Sequence, residues 1–116
     1  MKRLAAALAL LVAGCGGGDG TVVRGDPGAG AAVYARHCAS CHGPDGSGVA
    51  DAGPPLVDPR YHEDVYPDAA FVEAVRAGVA TEAWDFPRMP AVPGVGEDEL
   101  GDLLAHVRSL QAAGSH

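Results

Sequence analysis

The sequence predicts one small, mostly α-helical domain, with three main helices joined by long loops. Two observations predict it. Apolar residues recur at helical spacing in segments that begin near residues 27, 68 and 97, as on one face of a helix. The segments between them, 43–67 and 79–95, are rich in glycine and proline, which interrupt regular structure. A chain of 116 residues is long enough for one such domain.

The N-terminal residues indicate export. Lys2 and Arg3 form a basic start, and an apolar run over residues 4–13 follows. The run is far shorter than the roughly 20 residues that cross a bilayer as a helix. It therefore predicts a secretory signal peptide over residues 1–14 rather than a membrane span.

Small residues stand directly before a cysteine at the end of this signal. The stretch Leu-Val-Ala-Gly-Cys at residues 11–15 resembles the bacterial lipobox, which implies cleavage before Cys15 and attachment of lipid to its sulfur. An ordinary signal peptide with a coincidental cysteine is the alternative. The chain has three cysteines and the motif described next uses two, so Cys15 has no disulfide partner. Residues 15–25 then predict a flexible, glycine-rich tether to a membrane.

The predicted domain, residues 26–112, begins with a helix that ends in a cysteine motif. Asp26 is a favoured N-cap and Pro27 a favoured first residue, so a helix is expected over residues 27–41. It runs into Cys-Ala-Ser-Cys-His at residues 38–42. Positions three and four apart share a helix face, so both cysteines and the histidine can point at one object.

The Cys-x-x-Cys-His pattern is typical of covalent attachment of c-type haem. Each thiol, of Cys38 and Cys41, would add to a vinyl group, and His42 would be the proximal ligand of the iron. A thioredoxin-like dithiol would need a βαβ context, which is absent from the sequence pattern. A zinc site would need a second cysteine pair or regularly spaced histidines. The motif therefore predicts one haem c, a large apolar group that six aromatic side chains could not replace in the core.

The first helix and its motif resemble the N-terminal helix of class I cytochrome c. The shared positions are Gly30, Tyr34, Cys38, Cys41 and His42, followed by a glycine. In that family the first glycine lets the C-terminal helix cross closely, and the aromatic residue packs at the crossing. The resemblance extends from residue 26 to residue 110 and implies the family's fold around one His/Met-ligated haem.

The loop over residues 43–67 contains a second segment of resemblance. Its Gly-Pro-Pro-Leu at residues 53–56 resembles the family segment that follows the haem motif. The resemblance implies that the Pro54 carbonyl accepts a hydrogen bond from the His42 imidazole and that Leu56 lies against the porphyrin. Such a bond orients the imidazole and tunes the metal.

A second helix is expected over residues 68–77, with Asp68 as its cap and Gly78 as its stop. Its apolar stripe indicates a structural role.

The loop after this helix resembles the Met-Pro-Ala segment of bacterial class I cytochromes c, through Arg-Met-Pro-Ala-Val at residues 88–92. Met89 is the sole methionine besides the initiator, so the resemblance implies that its thioether is the sixth iron ligand. His62 and His106 are the competing ligands, and either would give bis-histidine haem. Trp84 is expected to pack over the haem. Its indole N–H could reach a propionate, but plain core packing is the safer interpretation.

The C-terminal helix has acids in its first turn and a stripe of five apolar residues: Leu100, Leu103, Leu104, Val107 and Leu110. The resemblance implies that this helix crosses the first one. His106 stands where the family has tyrosine or phenylalanine. We therefore expect it to be packed or partly exposed at the crossing, away from the iron.

Charge and motif together predict a one-electron carrier of a respiratory or similar redox chain outside the cytoplasm. Loss of residues 1–14 lowers the net charge from −7 to about −9. This acidity argues against a nucleic-acid partner and favours redox donors and acceptors that present a basic docking surface. Two alternatives stay open: the electron-entry subunit or haem domain of an oxidoreductase complex, and a haem-based redox sensor.

Overall fold

The computed structural model describes residues 22–80 and 85–114. Its helices are α1 (Pro27–His37), α2 (Ala39–His42), α3 (Asp68–Ala77) and α4 (Glu97–Gly114), with a 3-10 turn at Pro59–Tyr61. Isolated bridges between Val49 and Gly53 and between Val79 and Met89 are the β-type pairings within these residues. The mostly α fold predicted from the sequence is confirmed. The signal peptide, Cys15 and Trp84 lie outside the described residues.

The first helix is interrupted where the sequence predicts continuity. Cys38 leaves the helical region with φ −122° and ψ −32°, and the single turn of α2 follows it. Tertiary contacts hold this turn: the Tyr34 hydroxyl donates to the Gly43 carbonyl at 2.6 Å. A Cβ on Gly53 would lie only 2.5 Å from the Cys41 carbonyl oxygen, so the loop backbone also packs directly on the turn. The periodicity of apolar residues in the sequence does not reveal these contacts.

Helix α1 crosses α4 at close range through Gly30. A Cβ at Gly30 would overlap the backbone carbonyl of Asp102 and lie 2.9 Å from the Cβ of His106. The Tyr34 and His106 rings pack at the same crossing, with centroids 5.2 Å apart. The close crossing and the packed His106 expected from the sequence are therefore confirmed. The buried core around the crossing comprises Val33, Tyr34, Phe71, Val72, Val75, Leu100, Leu103, Leu104 and Val107.

Substituting Gly30 with alanine is expected to destabilise the protein by about 1–3 kcal/mol, because backbone must move to admit the methyl group. Because the new Cβ would meet the Asp102 backbone rather than a flexible side chain, we expect a cost toward the upper end of this range, above the gain of about 1 kcal/mol in helix propensity. The control is Gly28→Ala in the same helix, where the nearest atom to the new Cβ would be an Asp26 carboxylate oxygen at 3.6 Å. Chemical denaturation of both variants measures the difference, and equal stability would contradict the close crossing.

Helix α3 has the predicted bounds but a different start. Its N-cap is Pro67, which has no capping side chain, so the expectation that Asp68 caps the helix is wrong. Asp68 is instead the first helical residue. Its carboxylate accepts hydrogen bonds from the guanidinium groups of Arg24 and Arg108, and these charge-assisted bonds outcompete a local cap.

Across residues 22–80 and 85–114, we find no helix with both the length and the apolar character needed to cross a membrane.

Candidate functional site

An apolar cavity opens between the haem-motif segment, α3 and the loops that follow each of them. The cavity has a volume of about 210 Å³. The residues that line it are Cys38, His42, Pro54, Leu56, Tyr61, Tyr66, Phe71, Ala74, Val75, Val79, Pro87 and Met89. The cavity thus collects Cys38, His42, Pro54, Leu56 and Met89, five of the residues predicted from the sequence.

His42 is a buried polar residue of the cavity wall. Only 8% of its surface is exposed, and its Nδ1 lies 2.9 Å from the Pro54 carbonyl oxygen. Because a carbonyl can only accept, Nδ1 carries the proton and Nε2 keeps its lone pair. Burial lowers the pKa of His42, and the hydrogen bond to Pro54 acts in the opposite direction. The ring is therefore held in the neutral tautomer that a metal ion requires.

The two motif cysteines differ in environment. Cys38 is half-buried and lines the cavity, whereas Cys41 on α2 is exposed and is not among the lining residues that the structure describes. Burial, followed by the neighbouring Cys41, raises the pKa of the Cys38 thiol to about 11. Both thiols are free of disulfides among the residues described. Each therefore keeps its sulfur available for a thioether.

Backbone contacts hold Met89 at the cavity. Val79 and Met89 exchange hydrogen bonds at 2.8 and 3.2 Å, and the Val92 N–H donates to the Val75 carbonyl at 2.8 Å. Gly78, with φ +78°, lets this loop approach: a Cβ there would lie 2.5 Å from the Met89 carbonyl oxygen. The half-buried Met89 side chain is thus presented to the cavity by a loop that is fixed at Met89 itself and again at Val92.

The competing histidines lie elsewhere. The His62 ring nitrogen Nε2 is 2.9 Å from the Val57 carbonyl oxygen, and His106 packs on Tyr34. Neither lines the cavity in the part of the chain that the structure describes. Within that part, no group of three or more His, Cys, Asp or Glu residues could hold a metal ion. Trp84 cannot be placed, since it lies outside the described residues.

Several cavity residues were not identified as site residues from the sequence. Tyr61 and Tyr66 form part of the wall, with their rings edge to face at 5.4 Å between centroids. Phe71 and Val75 present the α3 stripe to the same space. The stripe is visible in the sequence as helical periodicity, whereas the tyrosines follow no period that would place them.

The donor set fits haem. The cavity brings a thiol, an imidazole with a free Nε2 and a thioether to apolar walls, and the second thiol lies three residues beyond the first. Soft sulfur and imidazole ligands suit iron in a porphyrin, and apolar walls suit the macrocycle.

The comparisons agree with this fit. A family model described as "Cytochrome c" matches residues 28–111. The chain is also similar to the cbb3-type cytochrome c oxidase subunit CcoP of Rhodobacter capsulatus, with 33% identity over 85 residues. The matched region covers 71% of this chain and 28% of that subunit, so the chain spans little more than a quarter of the relative's length.

Proposed function

Because the chain belongs to the cytochrome c family, whose domains bind haem covalently and transfer electrons, we propose that it is a class I, mono-haem, one-electron carrier. The single observation that carries the proposal is the common cavity of His42 and Met89, with His42 Nδ1 bonded to Pro54. One residue on each of two separately fixed segments supplies a donor atom. This arrangement suits a haem iron that His42 and Met89 would both ligate.

Each residue has a defined task in this proposal. Cys38 and Cys41 form the thioethers, and His42 and Met89 ligate the iron. The Pro54 carbonyl holds the proton on Nδ1 and so directs Nε2 to the metal. Leu56 lies at the cavity wall and excludes water. Trp84 is proposed to pack over the haem. When bound, haem supplies the one-electron chemistry, in which iron alternates between the ferrous and ferric states.

Salt dependence and ligand binding test the carrier function. The acidic chain is expected to react faster with a basic redox partner than with an acidic one. This difference in rate should shrink as ionic strength rises, because salt screens the charges once the Debye length falls to about 10 Å and below. Stopped-flow reduction with both partners measures it. Ferrous protein should bind carbon monoxide slowly or not at all, because no axial position is vacant. Rapid binding or sustained peroxide turnover would favour a sensor or an enzyme instead.

A second candidate function is electron entry into an oxidoreductase complex. The similarity to an oxidase subunit favours it, since that relative is named as part of a larger assembly. Affinity purification from the native membrane distinguishes a free carrier from a subunit of a complex. A carrier should co-purify weakly with its partners, because redox encounters are small and transient, whereas a subunit should remain with its complex.

Membrane attachment through Cys15 is proposed from the lipobox resemblance alone, since Cys15 lies outside the described residues. Cys15→Ser is expected to move the protein from the membrane fraction to the soluble fraction, or to block its maturation. Gly16→Ala is the control and should leave the protein with the membrane. Mass spectrometry of the mature protein checks the modification. An N-terminus at another residue without added lipid mass would contradict the anchor.

A further inference from the structure

A buried arginine on α4 makes an unusual set of contacts. The side chain of Arg108 is only 8% exposed. Its Nε donates to Asp68 at 3.0 Å, and its Nη1 donates to the Gln111 Oε1 at 2.8 Å. It also donates to two backbone carbonyls, those of Tyr61 at 2.8 Å and Tyr66 at 2.7 Å. A buried guanidinium is thus satisfied by four hydrogen bonds, two of them to one loop.

Gln111 adds to the same network. The residue is 5% exposed, and its amide nitrogen donates to the Leu56 carbonyl at 2.9 Å and to the Tyr61 carbonyl at 2.8 Å. We name Asp68, Arg108 and Gln111 the Arg108 hub. The hub joins α4 and the start of α3 to three backbone carbonyls within residues 56–66.

Those carbonyls belong to residues that line the cavity. The side chains of Leu56, Tyr61 and Tyr66 all face it, and the two tyrosine rings contact each other edge to face. This wall segment has little regular structure, with a single 3-10 turn at Pro59–Tyr61. Short turns within the segment use several of its backbone N–H groups, as in the bonds from Tyr61 to Asp58 and from Tyr66 to His62. The hub adds bonds from α4 to the carbonyls of Leu56, Tyr61 and Tyr66, and so ties these turns to the helix core.

Burial of the Arg108 side chain, paired with an Asp68 carboxylate that stays partly exposed, is costly as a way to gain stability. Desolvation of a charged pair often cancels its Coulombic gain, and apolar residues of equal volume can replace such pairs without loss. An apolar residue cannot replace the directional hydrogen bonds of the guanidinium. The planar guanidinium fork positions several acceptors at once, which suits it to fixing a loop in one conformation.

We propose that the Arg108 hub is a positioning unit for the cofactor: it fixes the Leu56–Tyr61–Tyr66 wall, which excludes water from the haem and keeps the reduction potential high. This inference rests on the proposed function, since it presupposes haem in the cavity. The physical link is dielectric. Burial of haem disfavours the more highly charged ferric state, so a wall that admits water lowers the potential.

Variants that remove charges of opposite sign distinguish positioning of the wall from a direct electrostatic effect of the hub on the haem. Arg108→Met removes a positive charge, Asp68→Asn removes a negative charge, and Gln111→Met changes none. If the hub acts by holding the wall, all three lower the reduction potential. If its charges act directly on the haem, the first two shift the potential in opposite directions and Gln111→Met leaves it unchanged.

The control for a lost arginine is Arg36→Met. Arg36 forms an exposed ion pair with Glu99 at 2.9 Å, which joins α1 to α4 rather than joining α4 to the wall segment. We expect it to leave the potential close to that of the wild type. Axial-ligand absorption bands should be unchanged in every variant, because the hub touches neither His42 nor Met89 through any contact described above.

Amide hydrogen exchange provides the second readout. The hub binds the carbonyls of Tyr61 and Tyr66, whereas their amides donate to the Asp58 and His62 carbonyls of the same loop. Loss of a hub hydrogen bond should loosen this loop and speed exchange at both amides about tenfold or more, with no change at Val33 in α1. In the wild-type holoprotein these two amides should exchange about as slowly as that of Arg108. Faster exchange there overturns the positioning role even if no hub variant accumulates in folded form.

The outcomes separate this inference from the function beneath it. Lower potentials in all three hub variants, with faster exchange in the wall, support positioning. Opposite shifts, or no shifts, in protein that carries haem overturn it and leave the carrier function intact. Wild-type protein without covalent haem would overturn the proposed function itself.

Discussion

Replacing Cys38 and Cys41 together with serine is expected to abolish covalent haem attachment and to leave little folded protein. Serine cannot form a thioether, and the apolar cavity would lose the group that fills it. A chain with few large core side chains depends strongly on such a ligand, because a ligand that binds only the native state stabilises it by mass action. Acid–organic extraction followed by haem staining of the denatured chain measures attachment, and circular dichroism measures folding.

The control for the double variant is Ser40→Ala, which changes an exposed residue between the two cysteines. It should retain full haem content after extraction. The single variants discriminate further, because each keeps one thiol and should keep haem attached through one bond. Complete extraction of haem from the wild-type chain would contradict the assignment.

Local patterns predicted the parts of this structure that depend on neighbours in the chain. The bounds of α3 follow from its apolar stripe and the glycine after it, and Gly30 marks the helix crossing because glycine inside a helix requires a reason. The His42–Pro54 bond came from resemblance to a family rather than from the chemistry of this sequence. The structure places the His42 Nδ1 2.9 Å from the Pro54 carbonyl oxygen, and the role of this bond toward an iron stays a prediction.

Long-range partners explain what the sequence did not reveal. Asp68 has the composition of a cap, yet two arginines distant in the chain take its carboxylate. Arg108 lies between Val107 and Ser109 on the C-terminal helix and carries the charge of a typical surface residue, yet only 8% of its side chain is exposed. In each case the decisive acceptor or donor is more than thirty residues away, so no local period identifies it.

The sixth ligand is a further case in which the sequence names candidates and the fold shows where each one lies. Sequence reasoning named Met89 as the sixth ligand, with His62 and His106 as competitors, and expected His106 to lie at the helix crossing away from the iron. The fold gives Met89 alone among them a place at the cavity wall within the described residues, while His62 is bonded to its own loop. Ligation by Met89 remains a prediction that only a loaded protein can test.

Met89→Ala is expected to remove the thioether–ferric charge-transfer band and to lower the reduction potential. Methionine raises the potential of a His-ligated haem, and axial-ligand choice accounts for much of a range of about 0.8 V among haem proteins. We expect a fall on the order of a tenth of a volt or more. The Val79–Met89 hydrogen bonds involve backbone atoms alone, so the loop should keep its position in the variant.

Ligand binding completes the test of Met89. With the thioether removed, ferrous protein should bind carbon monoxide rapidly, because one axial position becomes vacant while the apolar cavity still encloses it. The matched control is His62→Ala, which should leave the absorption bands, the potential and the slow carbon monoxide binding of the wild type unchanged. The reverse pattern, with wild-type spectra in Met89→Ala and altered spectra in His62→Ala, would transfer the sixth position to His62. It would also require the loop that bonds His62 to the Val57 carbonyl to rearrange when haem is attached.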